Sequence, residues 1–174
     1  MTIRRFIAIG ALIAASSTAH GFPDGAPWGA ADPANQNTCS SCHHDVEAID
    51  PSSAIKISGL PDQAQPSTRY PLTVTVRTTA ATAGFQLVAF VDRGSAGLFT
   101  SNDASIEIDA AQARSTVPVS LTDNTAVWQL VWTTPSDRVP VSLFLAAVSA
   151  NNDASPFGDQ PHYRRYRLIP ATDR

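Results

Sequence analysis

From residue 54 onward the chain is built of short runs that alternate apolar and polar side chains, each ending at a turn signal. The runs cover 54–58, 70–78, 84–92, 105–109, 116–122, 126–133, 141–150 and 163–168. Leu72, Val74 and Val76 alternate with Thr73, Thr75 and Arg77. Successive side chains of a strand point to opposite faces, so this pattern predicts a strand with one face buried. Leu143 to Val148 is nearly continuous in apolar residues, which predicts a central strand covered on both faces. Pro61, Pro66, Pro135, Pro140, Asn151-Asn152-Asp153 and Gly158-Asp159 separate the runs. No stretch has a sustained helical period, and residues 110–114 have length for one helical turn only. Seven or eight short strands at this spacing predict an all-β, antiparallel β-sandwich over residues 54–170. Phe85, Phe90, Trp128, Trp132 and Phe144 fall at strand positions and are expected in its core.

Residues 22–53 have another texture. They lack periodicity and are rich in Pro, Gly, Asn and Asp, which is loop chemistry. An irregular segment of that length needs something to hold it. Within it stands Cys39-Ser40-Ser41-Cys42-His43, which contains the only two cysteines of 174 residues. Two thiols at this spacing can add across the two vinyl groups of one porphyrin, and the next histidine can reach the iron. The pattern C-x-x-C-H predicts one covalent haem c, with Cys39 and Cys42 as thioether donors and His43 as proximal iron ligand. Trp28, the one large apolar side chain of the segment, is expected on the macrocycle or on the domain edge. Other chemistry is open to the same residues. Zinc needs four ligands, which Cys39, Cys42, His43 and one of His44, Asp45 or His162 would supply. A thioredoxin-like pair normally opens a helix in a βαβ setting, which this chain lacks. A Cys39–Cys42 disulfide closes too small a loop to stabilise much.

The start of the chain agrees with this chemistry. Arg4 and Arg5 precede the apolar run 6–15 and then small residues up to Gly21, the order of a secretory leader. Cleavage is expected after Gly21, or after Ala19, with export to a bacterial periplasm or beyond. The chain has a formal charge of −3, and loss of Arg4 and Arg5 makes the remainder more acidic. With no basic run, nucleic acid is not an expected partner. Beyond the leader no apolar stretch is long enough to span a bilayer, so no integral membrane segment is expected in the mature chain. No Ser-His-Asp set, paired-carboxylate cleft or glycine-rich phosphate loop is present to suggest another reaction.

The second axial position is open to several residues. Met1 is the only methionine and leaves with the leader, which excludes a Met/His pair. His162, His44, Lys56, the new N-terminal amine and a vacant position remain. His44 adjoins His43 and cannot easily reach the far side of the same haem. His162 is expected in a loop, 156–162, folding over the iron; its plainer reading is a solvated histidine. His20 would become N-terminal on cleavage after Ala19 and could then chelate copper, but nothing places a second histidine for such a brace. Arg164, Arg165 and Arg167 read as a solvated or edge-protecting face, with Arg165 or Arg167 as candidate partners of a haem propionate.

Gly25-Ala26-Pro27, Thr38-Cys39-Ser40-Ser41-Cys42-His43, Gly59-Leu60-Pro61, Tyr70 to Val76, Gly84-Phe85-Gln86-Leu87-Val88-Ala89, Trp132 to Pro135 and Val141 to Ala147 together carry a family resemblance. The chain resembles bacterial exported proteins in which a C-x-x-C-H segment leads into a reeler-like domain of choice-of-anchor V type. That resemblance implies an immunoglobulin-like fold and haem carriage; it implies no reaction. The expectation is an exported mono-haem β-sandwich that passes electrons to a redox protein partner. The alternatives are a non-enzymatic adhesion or interaction module, and a redox enzyme or gas sensor with an open iron site.

Overall fold

The computed structural model describes residues 25–31, 38–92 and 94–172. The expected leader, its cleavage sites and His20 lie outside the described residues. Twelve strands follow one short 3-10 turn, Cys39–Ser41: β1 (Ile55–Ser58), β2 (Gln63–Ala64), β3 (Arg69–Arg77), β4 (Thr82–Val91), β5 (Gly94–Ser95), β6 (Leu98–Thr100), β7 (Ile106–Asp109), β8 (Gln112–Ser115), β9 (Val119–Ser120), β10 (Thr125–Thr133), β11 (Val141–Ala150) and β12 (Gln160–Pro170). They form two sheets. One has the order β1-β3-β10-β6; the other runs β2-β12-β11-β4-β8-β7, with β5 and β9 also pairing with β4. Every pairing is antiparallel except the short parallel one of β2 with β12. This is the expected β-sandwich.

The long strands lie where the period-two runs placed them. In β3, Leu72, Val74 and Val76 are buried while Arg77 is exposed. They stand opposite Leu130, Trp128 and Ala126 of β10, so both strands turn the same face to the core. In β11, Leu143, Leu145 and Ala147 point between the sheets. Phe144 and Ala146 point to the outer face of the larger sheet and are buried there as well. That confirms a central strand covered twice. Its second cover is the segment carrying the C-x-x-C-H motif.

Two local expectations needed correction. Residues 110–114 make no helical turn. Ala110 adopts a left-handed φ of 50° in the two-residue connection between β7 and β8, and Ala113 and Ser115 are buried in β8. Single strands this short carry too few side chains to display a period, and β2, β5 and β6 escaped the sequence for the same reason. The run 116–122 yields only β9. It is followed by a tight turn in which Asp123 and Asn124 both have positive φ, 49° and 58°, and Thr122 and Thr125 exchange hydrogen bonds. Such doubly left-handed turns match the twist of the flanking strands and favour Asn and Asp.

The inter-sheet core holds Phe85, Trp128 and Trp132 as expected. Phe144 does not lie there. It belongs to a second cluster with Ala31, Cys39, Val88, Ala146 and Tyr163, against which half-buried Phe90 packs. Two of the five aromatics assigned to the core from sequence thus sit beneath the motif instead.

Candidate haem-attachment site

The motif begins where Thr38, in extended conformation, opens the 3-10 turn. Ser41 N–H donates to Thr38 O at 2.9 Å, Cys42 N–H to Cys39 O at 3.3 Å, and His43 N–H to Cys39 O at 2.9 Å. The Thr38 N–H is taken up by Ser41 Oγ at 3.3 Å. Ser41 therefore has a role that spacing alone hides, because it satisfies the start of a turn too short to satisfy itself. Both cysteines are free thiols, Cys39 buried and Cys42 exposed. Burial pushes the Cys39 thiol up from 9.0 to about 12, and the neighbouring Cys42 adds to the rise.

The turn is docked on β12. Tyr163 stacks on Phe144, with ring centroids 5.6 Å apart, and its hydroxyl accepts from Ser40 N–H at 2.8 Å and contacts Ser40 Oγ at 2.9 Å. Residues 49–52 then run alongside β12 as an added edge. Ile49 N–H donates to Pro161 O, Tyr163 N–H to Ile49 O and Ser52 N–H to Tyr163 O, at 2.9–3.0 Å. Upstream, residues 25–31 lie over β4 and β8. Gln86 Nε2 donates to Pro27 O at 3.3 Å, Arg114 donates to Ala26 O, and the Arg114 guanidinium sits 4.5 Å from the Trp28 ring centroid. Trp28 thus packs on the β8 side chain Arg114. Gly25 has φ +87°, and a Cβ built there falls 2.4 Å from Ser115 O. Gly25→Ala therefore imposes both backbone strain and a clash on the docked segment, about 1–3 kcal/mol, or roughly 5- to 150-fold in the open population. Proteolysis of residues 25–53 should accelerate by that factor while the unfolding midpoint of the sandwich barely moves.

His43 is held from the opposite strand end. Its Nδ1 lies 3.0 Å from Asp159 Oδ2, an ion-pair contact off the hydrogen-bond axis, and Asp159 is buried. Nε2, on the far side of the ring, is then the nitrogen turned away from the carboxylate. Neighbouring contacts follow in register. His44 packs edge-on against Phe157 at 5.9 Å, Gly158 N–H donates to Asp45 Oδ2 at 2.7 Å, and Gln160 Nε2 donates to Glu47 O at 2.7 Å. Sequence reasoning treated Gly158-Asp159 as punctuation and passed over Tyr163. An acidic residue directly preceding a strand that is packed on a histidine motif carries no local signature.

The structure does not bring His162 to His43. His162 is in β12, not in a loop, and is 5% exposed. It pairs with Ala147, whose face looks between the sheets, whereas Tyr163 pairs with Ala146 on the motif side. Its Nδ1 contacts Ser52 Oγ and its Nε2 contacts Ser149 Oγ, both at 3.0 Å. Burial holds its pKa below the ordinary 6.5. The unfolded chain consequently binds this proton more readily, so the stability His162 confers is complete above pH 6.5 and is lost as pH falls through the folded value. Thermal midpoints measured from pH 8 downward should drop below pH 6.5, and His162→Gln should flatten that drop. Lys56 lies on β1 of the other sheet, paired with Thr75. Arg165 shares the outer face with Tyr163 and stands 5.8 Å over Phe144. Arg164 points the other way, to Ser52 O at 3.2 Å.

In donor type these residues fit a covalent haem: two thiols and an imidazole stand within five residues. The Cys39 thiol packs in one cluster with Phe144 and Val88, with Phe90 beside them, and Cys42 is exposed. Among the described residues no three Cys, His, Asp or Glu side chains converge on a metal position, so the zinc set named from sequence is not assembled. Nor is any helix among them long and apolar enough to cross a membrane.

No family model matches the chain, and no curated protein matches it. Solved structures do. The Reelin-N domain of F-spondin superposes with a TM-score of 0.53 at 17% identity, over 77% of this chain and 99% of that one. The human F-spondin reeler domain gives 0.50 at 17% identity, over 68% and 88%. At this identity the likeness establishes a reeler-like fold.

Proposed function

We propose that this chain is an exported c-type haem protein of the reeler-like fold, acting in electron transfer. Cys39 and Cys42 would hold the haem through thioethers and His43 would ligate it through Nε2. The observation that carries the reading is the C-x-x-C-H motif closed into a single turn, with its histidine set against the buried Asp159 carboxylate. A bound haem supplies a one-electron iron couple. The chain's own residues attach it, orient the proximal imidazole and provide an apolar floor of Phe144, Val88 and Phe90. The motif lies on the outer face of a sheet and not between the sheets, so whatever it holds meets the surface, as exchange with a partner protein requires. The leader-like order of residues 1–21 supports export to the periplasm or beyond.

A second reading, a non-enzymatic extracellular interaction module, is favoured by the fold alone, shared with the F-spondin reeler domains. One experiment separates the two. The full chain is co-expressed with a bacterial c-type haem maturation system, then assayed by haem stain on a denaturing gel and by pyridine haemochrome. One haem per chain that survives denaturation is the expected result. Folded protein without covalent haem would leave the interaction module as the reading.

A further inference from the structure

The carboxylate beneath the motif is buried at the connection between β11 and β12. Asp159 is 2% exposed, and a buried carboxylate is costly unless each oxygen is satisfied. One oxygen is accounted for, because Asn151 N–H donates to Oδ1 at 3.0 Å. The other, Oδ2, lies 3.0 Å from His43 Nδ1 but off the axis of a hydrogen bond, and Nδ1 is buried with no hydrogen-bond partner among the described residues. Each group is thus the nearest one left to satisfy the other. The surrounding contacts fix the approach, since Asp45 accepts from Gly158 and Gln160 donates to Glu47 on either side of the pair. Such a carboxylate is the usual means of setting the tautomer and orientation of a ligating imidazole.

We infer that Asp159 is a positioning residue for His43: it holds the proton on Nδ1 and thereby keeps the Nε2 lone pair directed outward for a ligand. This rests on the reading of His43 as the haem ligand, but the tautomer is a property of the haem-free chain and can be tested there. The Asn151 N–H fixes the outcome of the isosteric change. In Asp159→Asn, the side-chain oxygen must face Asn151 N–H, so the amide NH2 is turned toward His43 Nδ1. A donor then meets Nδ1 and the proton moves to Nε2, which removes the lone pair.

The test uses haem-free chain lacking the leader, with 15N-labelled histidine, observed by NMR at about pH 8.5, where an ordinary histidine is neutral. The expected result is a Nδ1–H tautomer at His43 in the parent chain and a shift to Nε2–H in Asp159→Asn. A Nε2–H tautomer in the parent chain overturns the inference without any variant having to fold, and so does an unchanged tautomer in a folded Asp159→Asn. In haem-loaded protein the same variant should move the midpoint potential to more positive values and alter the iron spin state. An unchanged potential and spectrum there would also overturn it. A parent chain that takes up no haem sinks the ligand reading of the preceding section, while the tautomer measurement decides Asp159 in either case.

Discussion

Thiol titration of the folded, haem-free chain should resolve two cysteines, a fast exposed Cys42 and a much slower buried Cys39. The thiolate is the reacting species, and its fraction falls tenfold for each unit by which the pKa exceeds the pH. Cys39 is raised from 9.0 to about 12, so at a given pH near 8 it holds roughly a thousandth of the thiolate of an unshifted cysteine. Burial against Ala31, Ala146 and Tyr163 adds an access barrier to the chemical one. Cys42 is exposed and open to the reagent. Alkylation followed by mass spectrometry of Cys39→Ser and Cys42→Ser separates the two rates. Equal rates would show that the turn does not rest on the sheet as described. Because Cys39 reacts through opening of the segment, Gly25→Ala and Tyr163→Phe should both speed its modification; the first introduces a clash with Ser115 O and the second removes the hydrogen bond from Ser40 N–H.

Trp128→Ala and Trp132→Ala should each destabilise the sandwich by about 3–5 kcal/mol, a large share of the roughly 5–15 kcal/mol that holds an ordinary domain together. Both indoles are almost fully buried in the inter-sheet core, at 1% and 0% exposure. Trp128 packs on Phe85 with centroids 4.8 Å apart, across the two sheets. The two differ at the ring nitrogen. Trp132 Nε1 donates to Ala96 O at 3.1 Å, whereas Trp128 Nε1 is buried with no partner. Replacement by Phe should consequently be the more costly at 132, by about 0.5–1.5 kcal/mol, because only there is a made hydrogen bond lost. Denaturant titration of the two Phe variants measures the difference. A larger loss at 128 would contradict the packing described.

Much of the fold was legible because its signal is local. β11 occupies the same ten positions as its apolar run, and β3 and β10 differ from theirs by a residue or two. In each, the period of two reflects a face buried along many consecutive residues. β2, β5 and β6 were missed because two or three residues carry no period, and their pairing is decided by neighbours elsewhere in the chain. The site divides in the same way. Cys39, Cys42 and His43 are named by their spacing, which is chemistry within five residues. Tyr163 meets Ser40 across a separation of 123 residues, and no local pattern encodes that.

His162 shows most plainly what tertiary structure alone decides. From sequence it was a loop histidine free to reach an iron; in the fold it lies on the inward face of β12, between two serine hydroxyls. Its neighbour Tyr163 faces outward to the motif. The side to which a strand residue points follows from strand register and from which face is already buried, and one residue of difference inverts it. The amino-acid sequence by itself determined a sandwich of alternating strands and a thiol–thiol–imidazole set at haem spacing. The assembled sheets determined that this set rests on Phe144 and Tyr163 and that His43 meets Asp159, because those contacts exist only once distant strands are paired in register.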